Sequence, residues 1–360
     1  MFSKSWVAIV GVAILAVCAT PSSAQRPIEI DIGASWEHPH SNITIPAELG
    51  GLARGASTEF APDFLNIGFS FVKNEPYEEV SLYIYRHSSA GIPVWFEQAR
   101  TAIEIRDLYQ GPKLAFGIEQ YGWPGADGLQ GQRAIYATPD SSISSSTGVA
   151  LFSVNGWLVK MRASSTTRTP EQLAELMDQA FSELTPPVVS TPQAPVKAVV
   201  DCEERLKFKK AKDAKQESGA SVLAALLGGI VADDVNEEDA ETTEPKPVVA
   251  WCRDSTLSPM QVAYRADASL ESYLIALGDS GRSVSVAPDL NAMLLAEDPE
   301  KAKKTYSITV ITDDRRINFV PQNRLPSPKR VFEVLQENRV IGSVSTWGDN
   351  RSININSDAL

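Results

Sequence analysis

The chain has 360 residues, 43% of them hydrophobic, with 33 Lys and Arg set against 45 Asp and Glu for a net charge of −12. That length is more than one small core organises and fits two domains. An acidic balance repels polyanions at long range, which argues against nucleic acid as the main partner.

Lys4 precedes an almost uninterrupted apolar run over residues 6–19, and the small residues Ser22, Ser23 and Ala24 follow it. A basic start, an apolar centre and a small-residue end make a secretory signal peptide, with cleavage expected after Ala24. The run is about 14 residues long where a spanning helix needs about 20, so the chain is expected to be released, periplasmic or secreted, rather than anchored. Residues 15–18 approach a lipobox ending in Cys18, but Val17 stands where that motif takes a small residue.

The first domain is expected over residues 25–185. Residues 66–73 place Ile67, Phe69 and Phe71 on one face, and residues 80–86 do the same with Val80, Leu82 and Ile84. This period of two marks half-buried strands. Further strands are predicted at 113–119, 132–138, 149–154 and 156–163, the last two joined at Asn155-Gly156, a strong hairpin cue. Helical spacing of Trp95, Ala99, Ala102 and Ile103 predicts a helix over 93–109, and Leu173, Leu176, Met177, Ala180, Phe181 and Leu184 predict another over 170–184. Thr169, Pro170 and Gln172 stand where an N-cap, a first-turn proline and a capping-box amide belong.

Ile45-Pro46, the run Gly50-Gly51-Leu52-Ala53-Arg54-Gly55, the strand from Val80 to Arg86, and Gly156-Trp157-Leu158-Val159-Lys160-Met161-Arg162 with its following helix resemble a family of exported proteobacterial proteins of uncharacterised activity. The resemblance spans residues 40–185. The closing strand and helix also resemble those of the PsbP and Mog1-like proteins. That likeness implies a curved antiparallel sheet between helices, on a scaffold used for binding partners more than for catalysis.

Three proline-bearing steps over 186–197 predict an extended linker. The second domain follows at 198–360. Strands are expected at 199–208 and 248–253, each with one cysteine, and Cys202 and Cys252 are the pair left after the leader, so a disulfide is expected. Between them, at 209–247, lies an insertion of low complexity: a basic run, an apolar run of small residues, then an acidic run. Such a segment is expected to be an exposed excursion. Its apolar part at 219–232 is a candidate for peripheral membrane contact. Hairpins are predicted at 273–287, 306–320 and 340–356, with helical pieces at 290–304 and from Ser327-Pro328 onward. Strands in succession with helices at intervals give both halves an expected α+β class, each an antiparallel sheet packed with helices.

Chemistry is sparsely marked. Gly278-Asp279-Ser280-Gly281 matches the start of a serine-protease nucleophile motif, but Arg282 departs from it and no His accompanies it, so a hairpin turn is expected. His38 and His40, on either side of Pro39, are weak candidates for a transition-metal site and otherwise fit an exposed N-terminal arm. Lys160 and Arg162 fall on the strand face opposite Trp157, Val159 and Met161, where a cationic pair on an acidic domain offers a surface for an anionic ligand or partner. Tyr121 and Trp123 predict a turn with exposed aromatics suited to contact. No catalytic residue and no cofactor is implied. The functional expectation is an exported, non-enzymatic binding or assembly protein of the bacterial envelope with a protein partner there. A secreted hydrolase with a dispersed site and a metal-handling periplasmic protein are the alternatives.

Overall fold

In the computed structural model the alternating run at 66–86 closes into a hairpin at the centre of a large antiparallel sheet; the structure describes residues 25–189, 193–214, 248–289, 303–348 and 351–356. The expected leader, the apolar run at 219–232, the acidic run and most of the helical piece at 290–304 lie outside the described residues.

In chain order the strands are β1 (Arg26–Pro27), β2 (Trp36–Glu37), β3 (Thr44–Ile45), β4 (Glu48–Leu49), β5 (Leu52–Ala61), β6 (Asn66–Asn74), β7 (Tyr77–Arg86), β8 (Lys113–Leu114), β9 (Glu119–Gly122), β10 (Gln130–Ala137), β11 (Ser146–Val154) and β12 (Trp157–Ser165). Two helices, α1 (Ile92–Glu104) and α2 (Pro170–Glu183), belong to the same half. Ten of these strands form one sheet, in the order β1-β5-β6-β7-β12-β11-β10-β8, with β4 on β5 and β9 on β10; β2 and β3 pair separately. The second half contributes β13 (Val200–Asp201), β14 (Trp251–Ser258), β15 (Gln261–Ala266), β16 (Tyr273–Leu277), β17 (Ser283–Pro288), β18 (Tyr306–Ile311), β19 (Arg315–Gln322), α3 (Pro328–Gln336), β20 (Val340–Ser345) and β21 (Ile353–Ile355). Here nine strands run in sequence order across one sheet, antiparallel throughout except where β13 joins β14 in parallel.

Strand accounts for 43% of the structure and helix for 15%, so the expected α+β class is corrected to mostly β. The physical reason is what covers the sheets. The first sheet carries α2 on one face, but the other face is closed by α1 together with the second sheet, whose Val262, Tyr264, Leu274 and Ala276 enter the same core as Tyr85, Leu151 and Leu158. Sheet on sheet replaces the helical layer that the sequence pattern suggests.

α1 shows the consequence. Its Ile92, Val94, Trp95, Phe96, Gln98, Ala99 and Ile103 are all buried, more of the circumference than an amphipathic surface helix hides, because the helix is wedged between two sheets. Gln98, which a one-faced helix leaves in solvent, donates to the Tyr264 hydroxyl at 2.7 Å across the junction. α2 is the simpler case. Thr169 accepts from Gln172 N, and the Gln172 side chain accepts from Thr169 N at 3.0 Å, completing the capping box, while Leu173, Leu176, Met177, Ala180 and Phe181 face the sheet.

Other expectations shift by identifiable causes. The strand expected at 113–119 is split into β8 and β9, both pairing with β10. β5 follows no clean alternation because register shifts between Arg54 and Ser57 and between Glu59 and Ala61 interrupt it. Residues 209–214, expected to open the exposed insertion, instead lie along the second sheet: Ala214 N donates to Pro321 O, and Lys212 and Asn323 exchange two hydrogen bonds. The linker is tied down on the described side, with Gln193 bonded to Gly128, Gln130 and Ser153, and Val196 to Gln120.

Candidate functional site

The disulfide Cys202–Cys252 is formed and sits where β13 meets β14. Beneath it Arg265 is almost fully buried and meets Asp254, equally buried, at 3.1 Å. Arg265 also donates to the carbonyls of Ala268, Ser269 and Glu204, and Leu206 N donates to Asp254 at 2.9 Å. This hub fixes the path of residues 202–206 and delivers the following basic run to the sheet.

Lys160 is on the face opposite Trp157 and Met161, as the strand period requires, but that face is covered. Its ammonium, 5% exposed, donates to Asp279 Oδ2 at 2.7 Å and to Asp279 O at 2.9 Å, and lies over the rings of Tyr83 and Tyr85. The turn Gly278-Asp279-Ser280-Gly281 is therefore the element by which the second sheet docks on the first. Tyr85 donates to Asp279 O at 3.3 Å, and Ser89 Oγ stands 2.8 Å from Ser283 Oγ. Gly281, at φ +85°, has Tyr85 Cδ2 only 3.2 Å from where a Cβ would project, so close approach and backbone both require glycine there. Arg162 does not share this pairing and remains half-buried in the same cleft, its Nη2 enclosed without a hydrogen-bond partner.

The expected aromatic contact surface is corrected. Tyr121 and Trp123 are 6% and 3% exposed and pack on Phe152 and Phe181 in the core beneath α2. Tyr121 donates to Asp178 at 2.7 Å with Arg133 over its ring, and Trp123 Nε1 donates to Phe181 O.

The histidines are not on a free arm either. His38 is fully buried, its Nε2 donates to Phe64 O at 3.0 Å, and its Nδ1 accepts from Ser41 N at 3.0 Å, which leaves neither nitrogen for a metal. Burial, countered only in part by the Phe64 carbonyl, lowers its pKa to about 4. His40 donates to Asp63 O, stacks on Trp157 and meets Trp347 of the second half edge-on. Among the described residues no group of three or more His, Cys, Asp or Glu is arranged to hold a metal ion.

A Ser–His contact that sequence reasoning did not find joins Ser153 Oγ to His87 Nδ1 at 3.3 Å. His87 Nε2 must donate to the Ala90 carbonyl, so Nδ1 is the acceptor. A carbonyl rather than a carboxylate orients this imidazole, and burial pushes its pKa down, so the pair lacks the acid that stabilises an imidazolium during acyl transfer.

A groove of about 570 Å³ lies between residues 208–213 and the first turns of α3 and carries a cationic lining. Phe208 and Ala211 give it an apolar floor, and Lys209, Lys210, Lys212 and Lys329 line it, each exposed. Asp213 and Glu333 are also present, but Arg330 holds both, at 2.8 and 3.4 Å, and Arg339 takes the other oxygen of Asp213. Among the described residues no carboxylate forms an ion pair with the four lysines. The sequence signal was the basic run itself, which reads as a solvated stretch until the sheet is seen to hold it in place.

No family model, no curated protein and no solved structure matches the chain.

Proposed function

We propose that this is an exported, non-enzymatic binding or assembly protein of the bacterial envelope, and that the lysine-lined groove beside α3 receives an acidic segment of a protein partner. The observation that carries this reading is a formed groove lined by four lysines that pair with no carboxylate among the described residues, on a chain whose net charge is −12. Four ammonium groups held along one face attract an acidic stretch at long range, and the apolar floor gives desolvated contact once it arrives. Export is supported by the leader pattern at residues 1–24 and by the Cys202–Cys252 disulfide, which belongs to an oxidising compartment. Among the described residues no helix is long and apolar enough to cross a membrane.

Fluorescence anisotropy with a labelled oligoglutamate peptide tests the groove directly. Saturable binding that weakens as salt shortens the screening length, and that is lost when Lys209, Lys210, Lys212 and Lys329 are changed to Glu, supports the reading. Equal binding by the charge-reversed protein overturns it. Crosslinking in the envelope with the two proteins side by side then identifies the partner retained by the native groove alone.

A further inference from the structure

Arg162 rises from β12 on the face that α1 and the second sheet share, in register with Ser81 on β7 and Val149 on β11. On one side of it the turn at Asp107–Tyr109, which follows α1, folds Tyr109 into the sheet. On the other side stands the docked turn that carries Asp279. Tyr109 is 4% exposed and its hydroxyl lies 3.1 Å from Ser164 Oγ, which lies 2.9 Å from Thr147 Oγ1. Thr147 donates onward to Ala163 O at 3.1 Å.

The charges in this cleft do not balance. Asp279 is engaged by Lys160 through its Oδ2, and Glu79, the neighbour of Ser164 in register, accepts from Tyr77 and Ser81. Among the described residues Arg162 has no ion pair, and its Nη2 is enclosed with no acceptor. Leaving a buried guanidinium N–H without an acceptor is costly, and the described residues supply none here. The Tyr109 phenol sits among donors that favour a negative charge. Burial pushes its pKa up, yet hydrogen bonds with Ser164 and Thr147, the Arg162 charge and Arg106 bring it below the ordinary value.

We propose that Arg162, with Arg106 and the hydroxyls of Tyr109 and Ser164, forms a binding site for one oxyanion group, a carboxylate or phosphate, of a small ligand. The guanidinium supplies the charge-assisted donors and the hydroxyls complete the ring of contacts. The site is separate from the lysine groove: it sits on the first sheet at the junction, whereas the groove belongs to the second.

The arginine Nε–Hε signals of isotopically labelled mature protein test this, titrated with inorganic phosphate, with acetate, and with chloride at matched ionic strength. The expected result is a saturable shift of the Arg162 signal with phosphate or acetate and none with chloride, the stronger of the two naming the ligand's acidic group. Tyr109→Phe, which keeps the packing, weakens the affinity by about tenfold to a hundredfold, the usual worth of one hydrogen bond to a charged group. Arg162→Lys, which keeps the charge but not the planar fork, abolishes the saturable response of the signals around Tyr109. A linear shift, a response to chloride equal to that for phosphate, or an affinity unchanged in Arg162→Lys overturns the proposal. The Glu-substituted groove variant keeps the Arg162 response, so failure of the groove reading leaves this one standing.

Discussion

Lys160 Nζ on the first sheet and Asp279 Oδ2 in a turn of the second lie 2.7 Å apart, with 6% and 25% of their side chains accessible. Two strands that alternate as if one face were wet are thereby covered by another sheet, and the charge that the pattern assigns to solvent becomes the fastening between the halves. Burial pushes the Asp279 carboxyl up, but Lys160 and, further off, Arg162 outweigh this and hold it below the ordinary range.

Lys160→Met is expected to cost about 3 kcal/mol, because it leaves a mostly buried carboxylate without its partner. Urea unfolding at pH 7 reads this. Adding Asp279→Asn to the same variant recovers part of the loss, since the stranded charge is gone. The contribution of Asp279, whose folded pKa is depressed, is present above the unfolded value of 3.8 and fades as pH falls through the folded one. A cost below about 0.5 kcal/mol, the range of exposed pairs, shows that the turn does not dock as described.

His38 gives a dependence of the same sign, in a window of its own. Its folded pKa of about 4 lies below the ordinary 6.5, so between these values the unfolded chain binds a proton that the native chain refuses. Stability therefore falls as pH drops from about 6.5 toward 4. His38→Gln, able to donate to Phe64 O through its amide, flattens that part of the profile. Thermal unfolding at half-unit pH steps measures both curves, and parallel slopes in the two proteins contradict the assignment.

Asp313 is a buried carboxyl that costs rather than contributes. Burial raises its pKa, and Arg282 at 3.1 Å offsets that only in part, the Arg282 side chain being 47% accessible. A carboxyl whose folded pKa is raised destabilises the native state above that pKa, and the penalty is relieved as pH falls through it. Asp313→Asn is therefore expected to leave stability at pH 7 unchanged or raised by up to about 1 kcal/mol, with no gain at pH 4. A loss of several kcal/mol at pH 7 shows instead that the ion pair with Arg282 outweighs burial.

Local structure was legible in the residues because its causes are local. The Asn155-Gly156 turn, the Thr169–Gln172 box and the hairpin around Asp279-Ser280-Gly281 each depend on backbone chemistry within a few residues. The cysteine pairing was expected because Cys202 and Cys252 are the two left once a leader carrying Cys18 is set aside, and the disulfide is formed. What covers a face is a different kind of information. Val80, Leu82 and Ile84 announce one buried side of β7, but Ser81, Tyr83 and Tyr85 on the other are equally consistent with solvent or with a second sheet. The same ambiguity placed Lys160 and Arg162 on an open surface. His38 and Tyr121 were misplaced for a related reason: a polar tip on an aromatic ring says nothing of depth when carbonyls or carboxylates distant in sequence, Phe64 and Asp178 here, stand ready to satisfy it. The candidate groove was half legible, since the lysines form an obvious run while Lys329 and the walls come from α3, more than 100 residues away.

The disulfide and the Arg265–Asp254 pair beneath it act on different states and separate by experiment. Replacing Cys202 and Cys252 with Ser removes a constraint on the unfolded chain, worth about 2–4 kcal/mol, and leaves the native hydrogen bonds of residues 202–206 in place. Arg265→Met acts on the native state: it strands Asp254, 2% exposed, and frees the carbonyls of Ala268, Ser269 and Glu204, for an expected cost of about 3–5 kcal/mol. Reducing the bridge exposes more unfolded surface and so raises the urea m-value, whereas Arg265→Met leaves it unchanged. Because Arg265 Nε lies 3.3 Å from Cys202 Sγ, the two losses are expected to add incompletely in the triple variant. Strict additivity indicates that the two features hold the segment independently.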